Sequence, residues 1–137
     1  MTRRISRLAV MAAMLVAVAG LSASGEDKKP VTPIQQIMKE GHAGKKSLLA
    51  QIKTGVKEEK WGEITKAAYK LRGYGDDLGK NKPEKGTEES WAILTKGYKQ
   101  ITEDIAAGVD KKDQKQANEA IATLGKSCKA CHDQHKE

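Results

Sequence analysis

Residues 117–135 read ANEAIATLGKSCKACHDQH, and this stretch decides the fold. Ala117, Ile121, Leu124, Cys128, Cys131 and His135 follow one another at alternating steps of four and three. That spacing marks the seam of a helix packed nearly parallel to its neighbours. The seam runs without interruption into Cys128-Lys129-Ala130-Cys131-His132. On a helix Cys128, Cys131 and His132 stand at i, i+3 and i+4 and share one face.

Working outward, three earlier segments repeat the pattern, and no strand-like alternation appears. The first is read from Thr32, an N-cap followed by Pro33 at the first helical position and by Gln35 three residues on. Its stripe is Ile34, Ile37, Met38, Gly41, Leu48 and Ile52, with Gly55 as its end. Gly41 and Gly44 inside it cost roughly 1 kcal/mol each relative to Ala, which suits a helix that something bulky approaches closely. The second segment carries Trp61, Ile64, Ala68, Leu71, Gly75 and Leu78, and is broken by Gly79, Asn81, Pro83 and Gly86. The third follows the N-cap Thr87 with Trp91, Leu94, Tyr98, Ile101, Ile105 and Val109. The expected fold class is all-α, an antiparallel four-helix bundle over residues 32–137, with its cofactor near the C-terminal end of the last helix.

C-x-x-C-H is the attachment sequence of a c-type haem. Two thiols add across the two vinyl groups to form thioethers, and the adjoining imidazole becomes the proximal ligand of the iron. A thioredoxin-like dithiol would need a βαβ context, which the pattern lacks. A four-ligand zinc site needs more donors than His42, His135 and two cysteines readily supply. Cys128, Cys131 and His132 are therefore read as binding one covalent haem c, with His132 on the metal.

The N-terminus reads as a cleaved secretory signal over residues 1–24. Arg3, Arg4 and Arg7 form its basic region, Leu8 to Leu21 its apolar run, and Ser22, Ala23 and Ser24 its small-residue cleavage region. About fourteen residues are short for a membrane span, so no stable membrane insertion is expected after cleavage. Residues 25–31 are expected to be a mobile stretch. Export places the chain in the compartment where haem is attached, the bacterial periplasm. Losing three arginines and no acids lowers the net charge from +7 to +4, with 22 basic against 18 acidic residues. The remaining residues, about 113 of them, make one domain. With no Phe, two Trp and three Tyr, its core is poor in large flat side chains, a deficit that a haem would fill.

The signal, the four helical segments and a C-x-x-C-H at the C-terminus together resemble the class II cytochromes c, the family of cytochrome c prime and its low-spin relatives. Trp91 followed by Tyr98 is similar to the family's aromatics on the third helix, and Lys136 occupies the place of a common basic residue. Ile34 departs from the pattern, standing where an arginine is frequent. The resemblance implies that Met38, on the first helix, is the distal metal ligand opposite His132. His42, one turn along and nominally the stronger donor to iron, is the competitor for that position but reads as a partly exposed surface histidine, and His135 as a solvated or haem-edge residue. The function so implied is electron transfer by a non-enzymatic periplasmic protein. The alternative is a five-coordinate protein of the cytochrome c prime type, with an open distal site for nitric oxide or carbon monoxide. Expected partners are a redox protein, acidic where it meets Lys126, Lys129 and Lys136, with a homodimer left open. There is no aromatic-interleaved basic motif for nucleic acid.

Overall fold

The computed structural model describes residues 29–137; the expected leader and most of the stretch 25–31 lie outside them. Among the described residues the chain is all-helical, with no strand: α1 (Ile34–His42), α2 (Leu48–Lys57), α3 (Trp61–Leu78), α4 (Glu88–Asp110) and α5 (Gln114–His135). No helix among them is long and apolar enough to cross a membrane. The main packing is of α4 against both α3 and α5, with α2 on α3 and the short α1 lying across α2 and α3.

The expected first helix is in fact two. Its stripe is continuous through Leu48 and Ile52, but the backbone turns between them and α1: Ala43 is extended, and Gly44 has a φ of +80°, a conformation that disfavours any side chain. Ser47 then restarts the helix by accepting a hydrogen bond from the Ala50 N–H at 3.2 Å. The end of the second piece also moves, since Gly55 lies inside α2 and is buried. Nor does Thr32 act as the cap. The N-cap position belongs to Pro33, while the Thr32 N–H and hydroxyl donate to Asp77 Oδ2 at 3.1 and 2.8 Å. Asn81 donates in turn to the Thr32 carbonyl at 3.0 Å. The charged acceptor on α3 orients the Thr32 hydroxyl toward itself and away from the amides of α1, because hydrogen bonds to charged groups are the stronger ones.

The other three helices form as read, with Trp61, Leu94 and Ile101 of their seams only half-buried. Thr87 caps α4 by accepting from the Ser90 N–H, and Asp113 caps α5 by accepting from the Gln116 N–H. Ile37, Ile52, Leu71, Leu78, Ile105 and Leu124 form the most deeply buried part of a single core. Helices α3 and α4 approach so closely at Gly75 that an added Cβ would collide with the Thr102 hydroxyl and stand 3.3 Å from the Lys99 Cα. That hydroxyl is pinned by its bond to the Lys99 carbonyl at 2.8 Å and the backbone cannot retreat cheaply. Overpacking costs typically 1–3 kcal/mol, against roughly 1 kcal/mol gained from better helix propensity. Gly75→Ala is therefore expected to lose about 1 kcal/mol in urea denaturation; an unchanged midpoint would show the helices free to part.

Candidate cofactor cleft

Two cavities, of about 310 and 180 Å³, open where the C-terminal half of α5 faces α1 and α4. Met38, Cys131 and His132 line both, and Cys128 lines the smaller one. The four residues named from the sequence thus come together at one cleft. The larger cavity is closed by Ile34, Gln35 and Trp91, the smaller by Leu94, Tyr98 and Ile101. Leu94 and Ile101, expected in the core, are only half-buried because they form this wall, and their neighbour Ile93 is 66% exposed.

Both cysteines are free and half-buried. The Cys128 thiol donates to the Leu124 carbonyl at 3.3 Å, one helical turn back. Burial, and then the neighbouring Cys128, push the Cys131 thiol above its ordinary range. Both effects disfavour the thiolate there. His132 is exposed at the mouth of the cleft, one position off the seam that runs from Leu124 through Cys128 and Cys131 to His135. Among the described residues no three His, Cys, Asp or Glu side chains gather closely enough to hold an ion by themselves. A metal that came already held in a macrocycle would need only one or two protein donors.

His135 is not solvated: it is 4% exposed. Its Nδ1–H donates to the Lys85 carbonyl at 2.7 Å, its Nε2 lies 3.0 Å from the Ser90 hydroxyl, and its ring meets Trp91 edge-on at 5.2 Å. With both nitrogens engaged it anchors the 79–87 loop to α5 and has no lone pair free for a metal. Trp91 is fixed from the same loop, its indole N–H donating to the Asn81 carbonyl at 2.8 Å.

His42 is half-buried, so it is partly exposed as read, but its ring is engaged rather than free on the surface. It lines the smaller cavity; its Nε2 is 2.8 Å from the Tyr98 hydroxyl, and the rings meet edge-on at 5.6 Å. Its Nδ1 is buried without a hydrogen-bond partner. Burial, then the charges of His132 and Lys53, hold its pKa below the usual histidine value, so the neutral ring is favoured. Burial also raises the Tyr98 hydroxyl well above the ordinary tyrosine range. Sequence periodicity marked Tyr98 as core but could not pair it with a histidine 56 positions away.

Helix α1 is moored to α3 beside Met38. Glu40 accepts hydrogen bonds from the Tyr74 hydroxyl, from Lys70 at 2.9 Å and from Gln36 at 2.9 Å. These donors, Tyr74 foremost, lower its carboxyl from 4.5 to about 2. A depressed carboxyl stabilises the fold fully above its unfolded value of 4.5, and that contribution is lost as the pH falls toward 2. Tyr74→Phe should therefore unfold at lower urea than wild type at pH 6, with the gap closing between pH 4.5 and 2. A gap independent of pH would mean that Glu40 is not the partner that matters.

No family model, curated protein or solved structure matches the chain.

Proposed function

We propose that this cleft holds one haem c, with Cys128 and Cys131 bound through thioethers, His132 as proximal and Met38 as distal ligand, and that the protein carries electrons in the periplasm. The observation that carries this reading is the convergence of Met38, Cys131 and His132, from helices far apart in sequence, on both cavities. The two free thiols are available for thioether bonds, since neither is spent in a disulfide. The larger cavity, of about 310 Å³, is at the lower end of the range of small-ligand and cofactor sites, and the walls of both are mostly apolar. When bound, haem c supplies an iron that alternates between Fe(III) and Fe(II). Trp91, Leu94, Tyr98 and Ile101 keep water from the walls, while exposed His132 leaves one edge close to the surface.

In this reading the helices run antiparallel as a four-helix bundle, with α1 and α2 together forming its first member. The packing of Gly75 on Thr102, of Gly79 on Thr95 and of Gly108 on Ala117 supports that direction. Residues 1–24 act as the cleaved export signal. Acid–acetone extraction of protein expressed with its signal and a haem-attachment system tests the central assignment. The colour should stay with the polypeptide at one haem per chain; haem released to the solvent would overturn it.

Lys126, Lys129 and Lys136 stand exposed around the last turns of α5. Lys129 is paired with Asp133, which leaves Lys126 and Lys136 as the freer charges. Electron transfer to an acidic redox protein should slow as salt rises, because attraction is screened beyond about 10 Å at 0.1 M ionic strength. Lys126→Glu with Lys136→Glu should flatten that dependence in stopped-flow traces. A wild-type rate indifferent to salt would assign these lysines to solubility alone.

A further inference from the structure

We infer that His42 is a reserve axial ligand, able to take the sixth position on the iron when Met38 does not hold it. The inference rests on the haem reading above and extends it to a residue with no part in the motif. His42 follows Met38 by one turn of α1, so the two side chains stand on one face. Both line the smaller cavity together with His132 and Cys128. The surroundings of its ring are those of a ligand rather than of a packing histidine. Ligating histidines hold one ring nitrogen in a hydrogen bond that fixes the tautomer and leave the other bare for the metal. Here Tyr98 engages Nε2 at 2.8 Å, and Nδ1 is the one buried side-chain nitrogen or oxygen among the described residues that finds no hydrogen-bond partner. An unmet buried polar atom costs about 1–3 kcal/mol, so a protein that keeps one commonly uses it. His135, three residues from His132, shows the contrast: both its nitrogens are spent on Lys85 and Ser90. In the tautomer that donates Nε2–H to the Tyr98 hydroxyl, the Nδ1 lone pair is free. Imidazole is a good donor to iron in both oxidation states.

The test uses the oxidised holoprotein and reads spin state by visible absorption and electron paramagnetic resonance, with no assay of activity. Met38→Leu keeps the apolar bulk, so the fold should persist. It should remain predominantly low-spin, with the signature of two imidazoles in place of imidazole and thioether. Adding His42→Gln, which can still bond to Tyr98, should turn the iron high-spin and open it to carbon monoxide. Tyr98→Phe in the Met38→Leu background should raise the high-spin fraction severalfold, because the ring loses its orienting partner. If Met38→Leu is already high-spin and matches the double variant, His42 is no ligand and the inference is overturned. That outcome leaves the haem reading intact, since the colour would still resist acid–acetone; a wild type that loses its colour there would overturn the haem reading instead.

Discussion

Cys128→Ser combined with Cys131→Ser is expected to abolish covalent haem entirely, while leaving a helical polypeptide that can be exported and purified. Serine is close to cysteine in size, and its hydroxyl can keep the bond from position 128 to the Leu124 carbonyl, so α5 has no reason to break. Each single variant should keep one thioether and part of the colour; the double variant should give up any residual haem to acid–acetone. Stability should fall with it. Filling even half of the cavity of about 180 Å³ contributes about 2 kcal/mol at roughly 24 cal/mol per Å³. For a domain of this size that corresponds to about 10 °C in midpoint temperature. A double variant as stable as wild type by calorimetry would mean that the cleft is not where the cofactor contributes to folding.

The second large effect concerns the reduction potential. A thioether favours the ferrous state more than imidazole does, so the wild type should have the higher potential. If His42 takes the sixth position in Met38→Leu, as inferred above, the potential should drop by on the order of 0.2 V, within the span of about 0.8 V that axial ligands command. The helix that carries Met38 is moored through Glu40 to Tyr74 and through Thr32 to Asp77, so the change reports the ligand and not a displaced helix. A redox titration in which Met38→Leu and wild type share one potential would remove Met38 from the metal.

Helices α3, α4 and α5 were legible because their seams are uninterrupted, and the start of α4 because its cap, Thr87, acts on an amide three residues away. The residues at the cleft were legible, since Cys128, Cys131 and His132 form one local motif and line it together with Met38. What escaped is long-range. The break before Ser47 leaves the apolar stripe in phase, so periodicity across Leu48 and Ile52 conceals it. Thr32 looks like a cap until Asp77, 45 residues on, claims its hydroxyl. His42 and His135 look like solvated residues because their partners, Tyr98 and the Lys85 carbonyl, meet them only in the folded chain. In each case a distant partner engages a polar atom of a side chain that is buried, as at His135, or half-buried, as at Thr32 and His42, and hydropathy patterning carries no signal of that.

The most direct measurement is the visible spectrum and electron paramagnetic resonance of the exported holoprotein at pH 7, oxidised and reduced, before and after carbon monoxide. A covalent haem held between His132 and Met38 predicts a low-spin iron in both states with little response to the gas, because an occupied sixth position must first be vacated. A high-spin iron that takes up carbon monoxide at once would contradict it, and would make the protein a gas-binding one with an open distal site.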